Sequence, residues 1–214
     1  MGDAEPTRTD DRVRTAAVRE GSAEARAEAI LEVSVRLFHR HGYHGVGMRT
    51  IADEVGIRTS SLYYHFTSKA AILEELARRA TSGFIDEHLG ILDGDGRPDR
   101  LLHELIRRHI IYFVDNRLVQ SVARRELGEL SPESQQWVRE QLRRYQDRIR
   151  RFLADHSESG AFRSRDPFLT AMAVIDIANG ANEWFRPNGA LSLATFADRY
   201  ATVVVHDFLN AELS

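Results

Sequence analysis

Between Arg58 and Lys69 the chain reads Arg-Thr-Ser-Ser-Leu-Tyr-Tyr-His-Phe-Thr-Ser-Lys, a run of hydroxyls with an imidazole and two cations around two apolar residues. If Leu62 and Phe66, spaced i, i+4, form the buried side of a helix, then Thr59, Ser60, Ser61, Tyr63 and Tyr64 point outward. Small hydroxyls at a helix start, followed by phenols, suit hydrogen bonding to base edges and phosphates in a DNA major groove. A metal or catalytic reading of the histidines is weaker. His41 and His44 straddle Gly42-Tyr43 instead of sharing a helical face with His39, and no carboxylate completes a ligand set with them or with His65. No GxSxG elbow, P-loop or GxGxxG is present. The expectation is a binding protein without enzyme activity, metal or cofactor.

The elements around this run read as helices joined by tight turns. Ser22 to His41 is amphipathic, with Ala27, Ile30, Leu31, Ser34, Leu37 and Phe38 on one side. Ile51, Ala52 and Val55 give the next helix an apolar face, and Gly56 can take the left-handed conformation that ends it. Ile57 re-enters the core, and Thr59 or Ser60 can cap the following helix. Gly47 precedes the second helix without a side-chain oxygen to cap it.

From roughly Ala25 to Leu76 the chain resembles the TetR family of bacterial transcriptional repressors. The resemblance rests on Phe38-His39-Arg40-His41-Gly42-Tyr43, Met48-Arg49-Thr50-Ile51-Ala52, Val55-Gly56-Ile57, Leu62-Tyr63-Tyr64-His65-Phe66 and Ser68-Lys69, in order. It implies a helix-turn-helix that binds double-stranded DNA through Arg49, Thr50, Arg58, Thr59, Ser60, Ser61, Tyr63, Tyr64, His65 and Lys69. Arg49 is expected at a guanine edge, and His65 and Lys69 at phosphates. Lys69 is the only lysine in the chain, and a compact ammonium at a helix N-terminus suits a phosphate.

Composition bounds what surrounds the motif. The 214 residues carry a formal net charge of −3, which argues against non-specific coating by nucleic acid but permits a local basic patch. Cysteine is absent, in keeping with a reducing cytoplasm. No apolar run approaches a membrane span, and the polar first 22 residues lack a signal-peptide core. The expected organisation is a disordered tail over 1–22, a DNA-binding domain over 23–68 and a helical ligand-binding and dimerisation domain over 69–214.

Beyond Lys69 the pattern is helical throughout, about nine helices in an all-α chain. Helices are expected over Lys69–His88, Arg97–Asn116, Leu118–Leu130, from Ser131 to about Ser157, from Pro167 to about Phe185 and from Ser192 to about Asn210. The Asp93-Gly94-Asp95-Gly96 loop lacks the further ligands of a calcium site. The eighth helix is apolar or small on nearly every side, and the ninth presents Phe196, Tyr200, Val203 and Val204. With Ala173 and Ile177 these are expected to bury only in a homodimer, which also supplies the two recognition helices, about 34–36 Å apart, that a palindrome needs.

The stretch from Asn179 through Trp184-Phe185-Arg186-Pro187 to Tyr200 is similar to the TetR subgroup that represses fatty-acid and steroid catabolism and responds to acyl-CoA thioesters. The candidate effector residues are His109, Tyr112, Phe113, Arg117, Arg125, Tyr145, Asn179, Asn182 and Glu183, which mix apolar walls with polar handles. The reading is therefore a repressor that binds a palindromic operator as a dimer and is released by a small molecule, an acyl-CoA or another lipid- or steroid-derived ligand. A regulator of the same family that responds to drugs or other hydrophobic compounds is the alternative, and an architectural DNA-binding protein without a ligand a remote one.

Overall fold

The computed structural model describes residues 8–158 and 160–209, with side-chain detail from Ala23 onward. Its described residues form nine α-helices and no strand. Contacts divide the chain into two units, the first ending at Leu76 and the second beginning at Ala77. The division falls inside a helix, later than the boundary expected at 68/69.

In the first unit, α1 (Arg8–His41), α2 (Met48–Val55) and α3 (Thr59–His65) pack pairwise on one another. Ile30, Leu31, Leu37 and Phe38 of α1 are buried with Ile51 and Ala52 of α2, Leu62 of α3 and Phe66. The tail expected to be disordered is in part helix, because α1 begins at Arg8; residues 1–7 lie outside the described residues. Good helix formers such as Ala16, Ala17 and Ala23 let a helix nucleated downstream extend backward. Gly42 (φ 73°) and Gly56 (φ 78°) make the left-handed turns that end α1 and α2. At the second turn the Gly56 and Ile57 N–H groups donate to the carbonyls of Asp53 and Ala52. Neither Thr59 nor Ser60 caps α3. Arg58, in extended conformation, accepts the Ser61 and Leu62 N–H groups on its backbone carbonyl, so both hydroxyl side chains stay clear of the cap. The helix α4 (Lys69–Leu89) is capped by Ser68, whose hydroxyl accepts the Ala71 N–H at 3.1 Å.

The second unit is organised around α5 (Pro98–Asp115), whose Leu102, Leu105, Ile106, His109 and Ile110 are buried along one stripe. It packs against α8 (Pro167–Trp184) and α9 (Leu193–Thr202), and α7 (Pro132–Glu158) packs on α8. The helix expected over 118–130 is shorter. α6 (Arg117–Arg125) ends at Glu126, and a 3₁₀ turn, Leu127–Glu129, follows around Gly128, a poor helix former. Asp166 and Ser192 cap α8 and α9 with their side-chain oxygens.

α9 passes into a π-helical stretch, Val203–Leu209, instead of continuing as α-helix towards Asn210, which lies outside the described residues. The wider turn places adjacent Val204 and Val205 both in the core. Val204 is thereby removed from the expected dimer face: it is 2% exposed within a single chain, whereas Val203 is 54% exposed. Phe196, Tyr200, Ala173 and Ile177 are half-buried in one chain. α8 buries one face, Ala171, Val174, Ile175, Ala178 and Ala181, and leaves Phe168, Leu169 and Trp184 exposed.

Candidate functional site

In the first unit, α3 buries Leu62 and turns the rest of its surface outward. Tyr63 is 49% and Tyr64 83% exposed, Ser60 and Ser61 are exposed, Thr59 and His65 half-buried, and Arg58 exposed at the helix entry. The hydroxyls of Thr59, Ser60, Ser61, Tyr63 and Tyr64 make no hydrogen bond to the described residues, so their donors and acceptors are all available to an external partner. The His65 ring stands edge-on to Tyr64 at 5.3 Å. From α2, Arg49 extends into solvent with its side chain 88% exposed and Asp53 at 3.8 Å, and Thr50 is exposed beside it.

Lys69 makes contacts that its expected phosphate role did not include. Its Nζ donates to the carbonyls of Tyr43 at 2.7 Å and Val46 at 2.8 Å and lies 4.2 Å from the centre of the Tyr43 ring. Two of its three donors therefore hold the corner between α1 and α2. The side chain clamps the Gly42-Tyr43 turn and keeps one N–H beyond the two it donates there. The sequence signal overlooked was the turn itself, whose Tyr43 and Val46 carbonyls lie outside both helices and attract a cation.

In the second unit, five of the nine candidate effector residues come together. Phe84 of α4 is the hub of an aromatic cluster: the rings of His88, His109, Tyr112, Phe113 and Tyr145 lie 4.7–5.4 Å from it. His109, 2% exposed, is stacked on Phe113. Its Nε2 donates to Asn179 Oδ1 at 2.9 Å, which leaves Nδ1 to accept the Tyr145 hydroxyl proton at 3.0 Å. Burial pushes His109 down from 6.5 to about 3, the bond to Asn179 opposing the shift and nearby His88 adding to it. Burial likewise pushes Tyr145 up. The Tyr145–His109–Asn179 chain is a satisfied polar tie among α7, α5 and α8.

His88 is the residue that sequence reasoning missed. It is fully buried, and its Nδ1 lies 2.6 Å from the Phe84 carbonyl. A carbonyl only accepts, so Nδ1 carries the proton, the tautomer in which Nε2 is the acceptor. That Nε2 has no hydrogen-bond partner among the described residues. The signal available was the Phe84–His88 spacing of i, i+4, mirrored by His109 and Phe113 on α5.

The remaining candidates stand apart from this cluster. Arg117 and Glu183 are exposed. Arg125 is exposed and paired to Glu126 at 2.7 Å, and Asn182 donates to the Asn179 backbone carbonyl at 2.7 Å. Their helical spacing in sequence was compatible with a buried face, but short local partners hold Arg125 and Asn182.

Comparison with known proteins places both units. Residues 95–208 match the family described as tetracyclin repressor-like, C-terminal domain, and residues 30–76 match bacterial regulatory proteins, tetR family. The chain belongs to the TetR family. It is a DNA-binding transcriptional regulator, with the helix-turn-helix in α2 and α3. It is 27% identical over 186 residues to the HTH-type transcriptional repressor KstR2 of Rhodococcus jostii, covering 84% of this chain and 89% of that protein. Among solved structures, PfmR of Thermus thermophilus superposes with a TM-score of 0.74 at 28% identity, covering 83% of this chain and 97% of PfmR. AibR in complex with isovaleryl coenzyme A and operator DNA shares the fold, with a TM-score of 0.71 at 23% identity over 84% of this chain and 98% of AibR. No helix among the described residues is long and apolar enough to cross a membrane.

Proposed function

We propose that this regulator is a repressor that binds a palindromic operator as a homodimer and is released by a small-molecule effector of the acyl-CoA type. The observation that carries the effector reading is the His88 Nε2 atom, buried beside aromatic rings with no hydrogen-bond partner among the described residues. A buried acceptor left unmatched costs free energy, and such exceptions in folded proteins call for an explanation. An effector that donates a hydrogen bond to it from within an apolar envelope supplies one. The pantetheine arm of coenzyme A carries amide N–H donors, and the fold shared with AibR, which holds isovaleryl coenzyme A, supports the same class.

The dimer reading rests on Phe168, Leu169 and Trp184 of α8 with Val203 and Phe208 beyond α9, large apolar side chains exposed on one chain. A second copy covers them and pairs the two reading heads. The outward hydroxyls of α3 and Arg49 of α2 then read the major groove, with Thr50, Arg58, Tyr64 and His65 at its edges.

An effector that raises the operator dissociation constant a hundredfold favours the non-binding state by about 2.7 kcal/mol. Reciprocity then requires operator DNA to weaken effector binding by the same factor. The test is calorimetry of isovaleryl coenzyme A and longer acyl-CoAs with and without an operator selected from an inverted-repeat library. A hundredfold weaker binding in the presence of operator is expected. Equal affinities in the two states refute release by that compound.

A further inference from the structure

We propose that the outer face of α7 carries a phosphate subsite for the coenzyme A portion of the effector, resting on the acyl-CoA reading above. A groove of about 480 Å³ runs between the end of α4 and α7, with Leu89 and Asp93 on one side and Arg143, Arg144, Arg148 and Arg151 on the other. Arg144, Arg148 and Arg151 follow one another at i, i+4 and i+7, so three guanidinium groups line one stripe of the helix. Like charges at this spacing repel and are stabilised by an anion laid across them.

The groups in the groove differ in how they are held. Arg148 donates to the Leu92 carbonyl at 2.8 Å and to Asp93 at 2.6 Å, which neutralises that carboxylate. Asp147 is paired with Arg150 at 3.3 Å. Glu140, bound through the Gln136 amide at 2.7 Å, is the opposing acid in the wall. Arg143, Arg144 and Arg151 make no hydrogen bond or ion pair with the described residues. Three unpaired guanidiniums against one carboxylate leave the groove positive in a chain of net charge −3, and guanidinium forks match phosphate oxygens in pairs.

Position ties the groove to the effector cluster. Leu89 follows the buried His88 on α4, and Tyr145 follows Arg144 on α7. The same helix pair thus presents an aromatic interior on one side and unpaired arginines on the other. A ligand with an apolar acyl end, an amide-bearing arm and phosphates at the far end matches that order of chemistry. A free nucleoside diphosphate shares the phosphate chemistry alone.

The experiment titrates free coenzyme A, ADP and inorganic pyrophosphate into the full-length protein and into Arg144→Gln/Arg151→Gln. Arg100→Gln/Arg165→Gln, two exposed arginines outside the groove, serves as the charge-matched control. Coenzyme A should bind the groove variant at least tenfold more weakly, the control within twofold of the wild type, and all three proteins should share one melting temperature. Loss of ADP and pyrophosphate binding alongside coenzyme A assigns the groove to diphosphates in general; loss of coenzyme A alone assigns it to that ligand. No coenzyme A binding by the wild type, or equal losses in the two double variants, overturns the subsite. Operator release separates this from the functional reading. If isovaleryl coenzyme A releases operator equally well from wild type and groove variant, the subsite is wrong and the effector reading stands. If it binds the wild type through the groove without releasing operator, the effector reading is wrong and the subsite stands.

Discussion

Replacing Lys69 by methionine separates a corner clamp from a phosphate ligand, because the two roles move different observables. The substitution keeps the aliphatic stem and removes the ammonium that donates to Tyr43 and Val46 at 2.7 and 2.8 Å and lies over the Tyr43 ring. Hydrogen bonds from a charged donor contribute about 1.5–3 kcal/mol each, and a cation over an aromatic face about 0.5–1 kcal/mol where water reaches it. Lys69 is half-buried, so water replaces part of what is lost, and a net destabilisation of about 2 kcal/mol is expected. For a chain of this length that is a fall in melting temperature of roughly 4–8 °C. The assay is thermal unfolding by circular dichroism, paired with the salt dependence of operator affinity measured well below the transition. A clamp predicts a lower melting temperature and an unchanged salt slope. A phosphate ligand predicts the reverse, an unchanged melting temperature and a slope reduced by about 0.9 per subunit. The second pattern refutes the reasoning from the corner geometry.

Arg49→Ala should cost roughly 1–3 kcal/mol of operator binding and relax the preference at one operator position, with no change in stability because the side chain is almost fully exposed; competition against single-base operator variants reads this out. Val203→Arg should fold normally and sediment as a monomer with weak operator affinity, since the position is exposed in one chain and lies on the face proposed for the dimer. Val204→Arg, one residue on and 2% exposed, should instead fail to fold stably. His109, held down at about 3 against 6.5 unfolded, makes the unfolded chain the stronger proton binder below pH 6.5. Its contribution to stability is therefore complete above pH 6.5 and is lost as pH falls towards 3, by up to about 1.4 kcal/mol per pH unit. Urea unfolding of wild type and His109→Gln from pH 7.5 to 5 checks this, and parallel pH profiles count against it.

The reading head was the most legible part of the chain because its determinants are local. Leu62 and Phe66 one turn apart, and Gly56 where a left-handed residue is required, fix α2, α3 and the turn between them with few long-range contacts. The side chain of Lys69 was not legible, since its partners, Tyr43 and Val46, lie more than twenty residues away in sequence. The same holds for His109, whose place was guessed from its neighbours on α5 but whose partners come from α7 and α8. Val204 shows another limit. Reading the ninth helix as regular α-helix assumes 3.6 residues per turn, and the π-helical stretch changes which side of the helix each valine occupies.

The two buried histidines divide the cluster by how completely each is satisfied. His109 has a partner on both ring nitrogens, and those partners belong to two other helices. Removing it breaks a tie among α5, α7 and α8, so it contributes to stability whether or not an effector is present. His88 uses only Nδ1, and on the carbonyl of its own helix one turn back. Nothing in the described core depends on its Nε2, which makes that atom available to a bound group without dismantling any native contact. Phe84 touches both rings, at 4.7 Å each, so a group docked on His88 packs against the same phenyl that packs against His109. A ligand that shifts Phe84 thus presses on the rigid tie and on α4 at once, and packed interiors of this density transmit such a shift instead of absorbing it. His88→Phe should therefore weaken effector binding while keeping most of the His109-dependent acid profile, since burial is the largest cause of that shift and His88 the smallest, and His109→Gln should do the opposite.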